Sequence, residues 1–236
     1  MRFCFYPLFF MQLAGCAMSS LPPGFEVVDT GDFPIAALVR DTDAAADFAI
    51  YIEGDGHAFN ARGDPTRDPT PRGDFVRRLA RGDTGANVAY IARPCQFVSN
   101  EKCSEKYWTS ARFAPEVIDT TARTIEKISG GRGVTLIGFS GGAQVAGLVA
   151  VLHPEIKVKK IMTYAGNLEH AAWTAHHKLA PLNESLNLAD YRDEYLKIPA
   201  THYVGEHDKV IPPKLVTDFV GDGANVIVVS DAGHGW

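Results

Sequence analysis

The chain has no apolar run long enough to cross a bilayer as a helix, which takes about 20 residues. It has no long basic stretch, and 23 Lys and Arg against 28 Asp and Glu give a formal net charge of -5. That balance does not recommend nucleic acid as a partner. No internal repeat is visible, which argues against solenoids and propellers. Cysteine is scarce, with four residues in 236. Neither a C-x-x-C pair nor an H-E-x-x-H motif occurs, so the common signatures of a redox or zinc site are missing. Asp55 with His57, and His207 with Asp208, are too scattered to read as a metal site. No metal and no cofactor are expected.

What is present is ordinary for a globular protein. Hydrophobic residues make up 46% and charged residues 22%, close to the average for folded domains. The length suits one sizeable core and is short for two.

The first residues have another character. Met1-Arg2 precedes an apolar stretch from Phe3 to Leu13, followed by small residues, which is the pattern of a secretory signal. Leu13-Ala14-Gly15-Cys16 resembles the lipobox of bacterial lipoproteins. That resemblance implies loss of residues 1–15, lipidation of Cys16 and attachment to a membrane. The chain would then sit in the cell envelope, on the periplasmic or outer side of a bacterial membrane. More than one acyl chain on Cys16 meets the requirement for stable anchoring. Of the other cysteines, Cys4 lies within the signal. Cys95 and Cys103 flank a polar loop, and an oxidising compartment favours a disulfide between them over two free thiols.

From residue 35 onward, strands and helices alternate. Ser19 to Gly31, with Pro22, Pro23 and Gly24, reads as a tether or lead-in loop. Apolar, β-rich runs at 35–39, 48–52, 87–92, 134–137, 158–164, 201–204 and 225–229 read as strands. Asp74 is placed to cap a helix carrying Phe75, Val76 and Leu79. Pro115 opens a helix to about Ile128, and Pro212 opens another through Val220. Alternation of this kind predicts an α/β domain over 16–236, a mostly parallel central sheet with helices on both faces. Residues 166–197 have no clear period and read as a small lid-like insertion of short helices and loops. Sites in such sheets lie at the carboxyl ends of the strands.

The most informative stretch is Val134 to Ala150. An apolar strand runs into Gly138-Phe139-Ser140-Gly141-Gly142, and a helix with Val145, Leu148 and Val149 follows at once. This is the arrangement of a G-x-S-x-G nucleophile elbow. Gly138 and Gly142 are expected to be small because side chains there would meet the neighbouring strand and helix. The amide of Gly141, at the helix start, is placed to stabilise an oxyanion.

A serine hydroxyl needs a base, and the base needs an orienting group. Downstream of Ser140, Gly205-Glu206-His207-Asp208-Lys209-Val210-Ile211-Pro212 and Asp231-Ala232-Gly233-His234-Gly235 each follow a strand. The order Ser140, Asp208, His234, and these two motifs, resemble the α/β-hydrolases over nearly all of residues 35–236. The resemblance implies a serine hydrolase acting on a carboxylic ester, with Ser140 as nucleophile, His234 as base and Asp208 as acid. Glu206 and Asp231 are alternatives for the acid. His57, His153, His176, His177 and His207 are the other histidines weighed against His234. The second oxyanion donor should come from the loop after the strand 48–52, where Asp55 or Gly56 would offer its backbone N–H. Many relatives have His-Gly at that strand end; here Glu53-Gly54 stands instead.

The expected partner is a small ester or acyl substrate. Two other activities fit the same chain: a non-catalytic cell-envelope binding lipoprotein on a hydrolase fold, and an acyltransferase using the same three residues. Trp108 and Trp173 either shape a substrate pocket or pack beneath a long loop. The stretch Ala61–Gly73 reads as a solvated rim. The helix that usually follows the histidine loop is not apparent: either the fold closes without it or the sequence is truncated. If Trp236 is the true end, its carboxylate should lie near His234, raise the imidazole pKa and shift activity to higher pH.

Overall fold

The computed structural model describes residues 21–236. The expected signal segment and Cys16 lie outside them. Eight strands form one sheet: β1 (Glu26–Val28), β2 (Ile35–Asp41), β3 (Phe48–Ile52), β4 (Asn87–Ile91), β5 (Val134–Phe139), β6 (Val158–Tyr164), β7 (Ala200–Gly205) and β8 (Val226–Val229). Their order across the sheet is β1-β2-β4-β3-β5-β6-β7-β8. From β4 to β8 every neighbouring pair is parallel. β2 runs antiparallel to β4, and β1 antiparallel to β2. The expected mostly parallel α/β sheet is therefore what the chain forms. β1 corrects the reading of Ser19–Gly31 as a tether or lead-in loop. Its residues Glu26, Val27 and Val28 pair with Ala37, Ala36 and Ile35, so tertiary pairing recruits a segment too short and polar to announce itself.

The helices are α1 (Phe75–Gly82), α2 (Pro115–Ser129), α3 (Gly141–Leu152), α4 (His170–His177), α5 (Arg192–Tyr195) and α6 (Pro213–Val220). Pro115 starts α2 at a position whose N–H would be unpaired in any case, and Gly130 ends it in a left-handed conformation. Asp74 precedes α1, but its side chain caps no amide. Its carboxylate accepts from Arg78 Nε at 3.0 Å instead, which corrects the expected cap.

Side-chain alternation divides the sheet into two faces. Phe48, Ile50 and Ile52 of β3 join the larger core with Ile118 and Ile125 of α2, Val145 and Leu148 of α3, and Val216 and Phe219 of α6. Burying each such side chain is worth roughly 1.5–3 kcal/mol. The opposite face holds Val76 and Ala80 of α1 against Val88 and Tyr90 of β4. Further along that face, Tyr164 stacks on Tyr203 with centroids 4.7 Å apart, and Phe75 and Trp236 pack against Tyr164. Residues 166–197 supply α4, a 3-10 turn at Leu188–Tyr191, and α5. Among the described residues no helix is long and apolar enough to cross a membrane.

Candidate active site

The turn after β5 has the geometry that its glycines imply. Ser140 adopts φ 50° and ψ -122°, a strained backbone for a residue with a Cβ, which costs about 1–3 kcal/mol. Three hydrogen bonds hold it. Ser140 N–H donates to the Tyr164 carbonyl at 3.0 Å, and the Ser140 carbonyl accepts from Ala143 and Asn167. A Cβ at Gly138 would lie 2.5 Å from Ala143 Cα, and one at Gly142 would lie 2.5 Å from the Ile52 carbonyl oxygen. No other residue fits either position without moving backbone.

Asp208 and His234 follow β7 and β8, and the fold brings both to Ser140. His234 Nδ1 lies 2.8 Å from Asp208 Oδ2. His234 Nε2 lies 3.1 Å from Ser140 Oγ. A carboxylate only accepts, so Nδ1 carries the proton and Nε2 is free to accept from the serine hydroxyl. Asp208 is buried. Its other oxygen accepts the backbone N–H groups of Val210 and Ile211, both at 2.8 Å. That accounts physically for the turn that follows the acid. The Phe139 ring packs on the imidazole with centroids 5.0 Å apart.

The rival residues lie elsewhere. Glu206 accepts the N–H of Asp231, and the Asp231 carboxylate is 3.9 Å from His207. Glu206, His207 and Asp231 place ligand-capable atoms within 4.8 Å of one another, all exposed. His153 pairs with Asp119 and Glu155. His177 bonds the Val210 carbonyl, and the His176 ring packs edge-on to it. His57 lines the cavity beside Ser140, with its N–H on the Pro69 carbonyl.

That cavity has a volume of about 510 Å³ and is lined by Asp55, Gly56, Phe59, Phe75, Arg112, Ser140, Trp173 and His234 among others. Trp173 therefore borders it, with Nε1 donating to the Val210 carbonyl at 2.8 Å. Trp108 does not line it, and donates Nε1–H to the Thr66 carbonyl at 3.0 Å. Pro71, Arg72 and Gly73 reach the cavity wall, so part of the expected solvated rim forms its edge.

The loop after β3 supplies the facing wall. The amides of Gly141, Asp55 and Gly56 have no hydrogen-bond partner among the described residues. The Asp55 carboxylate lies against Gly141, with Oδ1 2.2 Å from where a Cβ there would sit. A buried ionic network holds that loop, which sequence reasoning missed. Asp55 pairs with Arg93 at 3.3 Å and with Arg112 at 2.7 Å. Burial alone would raise the Asp55 carboxyl, but the two guanidiniums outweigh it and hold it below its usual value. Burial lowers Arg93. Gln96 donates Nε2–H to the Gly54 carbonyl at 3.0 Å. Glu53, which stands at the position of the usual histidine, is buried and pushed up mainly by desolvation. It accepts from Gly54 N–H at 3.0 Å and from the Tyr90 hydroxyl at 2.9 Å. The only early sign of the network was two arginines beside apolar strand and loop ends. Cys95 and Cys103 form a disulfide next to Gln96.

Solved structures with this fold are numerous. An α/β serine hydrolase homologue from Coxiella burnetii aligns over 92% of this chain and 91% of its own, at 16% identity and a TM-score of 0.57. Est1E from Butyrivibrio proteoclasticus aligns over 90% and 91%, at 12% identity and 0.62. An α/β serine hydrolase without lid from Xanthomonas campestris aligns over 90% and 87%, at 14% identity and 0.53. No curated protein sequence matches the chain. The family model described as Serine hydrolase (FSH1) matches residues 85–234. With that match running from the start of β4 to the loop after β8, the chain belongs to the FSH1 serine hydrolase family.

Proposed function

We propose that the chain hydrolyses carboxylic esters through an acyl-enzyme on Ser140. The observation that carries this reading is the hydrogen-bonded series from Ser140 Oγ through His234 to Asp208, opening on a cavity. His234 Nε2 takes the hydroxyl proton as Oγ attacks the ester carbonyl. Asp208 keeps the imidazole in the required tautomer and stabilises the imidazolium. The tetrahedral oxyanion is met by the amide of Gly141 and by that of Asp55 or Gly56. Asp55 and Gly56 are the two expected donors, and the amides of both are without a hydrogen-bond partner among the described residues. Losing one such donor costs about 2.7–4 kcal/mol of transition-state stabilisation. The imidazolium then gives its proton to the leaving alcohol, and water, activated the same way, releases the acid.

A fluorophosphonate probe should label the chain, and short p-nitrophenyl esters should be turned over. Ser140→Ala should abolish both, and labelling that persists in that variant would refute the assignment. The lipobox-like segment supports an exported, lipid-anchored form. Incorporation of labelled palmitate that is lost in Cys16→Ser would support that placement, and equal incorporation would refute it.

A further inference from the structure

A second cavity, of about 340 Å³, adjoins the first and shares Phe59, Arg112 and Trp173 with it. Its wall includes Leu179, Pro181 and Leu182. Arg112 is the only charged group of the three shared residues, and its side chain is 6% exposed. Its guanidinium carbon lies 5.5 Å from the Phe59 ring centroid and 5.9 Å from that of Trp173. Nε donates to the Thr109 carbonyl at 2.8 Å and Nη1 to Asp55 at 2.7 Å. Nη2 has no hydrogen-bond partner among the described residues and is not among the buried atoms left unpaired. It is a donor at the cavity wall.

Arg93 and Arg112 share the carboxylate of Asp55, and Glu53 also acts through space on Arg93. Among the described residues Arg112 has no carboxylate partner besides this shared one. Glu53, the next carboxyl, accepts from Tyr90 and Gly54 rather than from either arginine. A largely buried cation that shares its one carboxylate with a second arginine gains from a further acceptor, and a planar guanidinium with a spare N–H suits a carboxylate. The flanking Phe59 and Trp173 rings lower the polarity around the guanidinium, which strengthens such a pairing.

We propose that Arg112 is a specificity residue, and that the substrate carries a carboxylate which accepts Nη2–H at the seam between the two cavities. The substrate class is then an ester with a free acid on the same molecule, such as a half-ester of a dicarboxylic acid. The position of the scissile carbonyl rests on the ester-hydrolase reading; the carboxylate subsite does not.

Binding can be read apart from turnover in Ser140→Ala, by calorimetry with monomethyl glutarate and dimethyl glutarate as probes. The charged probe should bind at least about tenfold more tightly, the scale of a charge-assisted hydrogen bond. Adding Arg112→Gln should remove the preference. Because that change leaves Asp55 short of a partner, a second measurement uses the intact wild type. Its kcat/KM ratio for p-nitrophenyl hydrogen glutarate over p-nitrophenyl methyl glutarate should also be at least about tenfold. Equal affinities, no binding of the charged probe, or a preference that survives Arg112→Gln and disappears in Arg72→Gln would each overturn the proposal. An enzyme that turns over no ester but still prefers the charged probe would overturn the ester-hydrolase reading and leave the subsite standing.

Discussion

Two walls of one cleft fix their groups by different means. On the Ser140 side, at the ends of β5, β7 and β8, the backbone does the holding. Asp208 rests on the amides of Val210 and Ile211, and Ser140 on Tyr164, Ala143 and Asn167. On the facing side, at the ends of β3 and β4, side chains do it. Arg93 and Arg112 clasp Asp55, Gln96 holds Gly54, and Tyr90 holds Glu53. Backbone bonds survive most substitutions, whereas a buried ionic network is costly once one member is lost. The Ser140 side should therefore fail in rate, and the Asp55 side in stability.

Asp208→Asn tests the first half most severely. It keeps the acceptor for Val210 and Ile211 but presents the wrong partner to His234. Hydrolase turnover should fall about 10⁴-fold in kcat with little change in thermal midpoint. A large loss of stability without that loss of rate would invert the comparison. Asp55→Asn strands two buried guanidiniums, and urea unfolding should show about 3–5 kcal/mol lost. A variant as stable as wild type would mean that the clasp is dispensable.

Cys95→Ser with Cys103→Ser removes the short covalent loop beside Gln96. The loop-entropy argument gives a loss of about 2–3 kcal/mol, read as a lower denaturation midpoint. No change would dissociate the disulfide from the Asp55 side. The smallest effect concerns pH. Burial pushes His202, beneath the Ser140 side on β7, down to about 4, and its Nδ1 lies 2.9 Å from Thr163 Oγ. Below about pH 6.5 the unfolded chain binds a proton that the folded chain refuses. Stability should therefore fall by roughly 1–2 kcal/mol between pH 6.5 and pH 5. His202→Gln should flatten that slope, and an unchanged slope would place the acid sensitivity elsewhere.

The sequence was informative where chemistry follows local pattern. The strand–turn–helix around Ser140 and the motifs after β7 and β8 place three side chains that the fold then joins by hydrogen bonds. β1 was hidden because three residues, one of them Glu26, carry no period of their own and become a strand only by pairing with β2. Residues 166–197 were hidden because α4 buries only His170 and Thr174, too few to show a face. The Asp55 network was hidden for another reason. Arginines are seldom fully buried unless paired, and the pairing joins residues 38 and 57 positions apart. The family match, over 85–234, also begins after Asp55.

The contact between Gly141 and the Asp55 carboxylate makes the two walls a single mechanical joint. A methyl group at position 141 would press on the carboxylate that both arginines grip, so a change at the serine turn would travel straight into the ionic cluster. Positions 55 and 141 should accordingly vary together. Relatives with a side chain at 141 should carry a shorter or differently turned residue at 55, and should have found another way to neutralise the two guanidiniums.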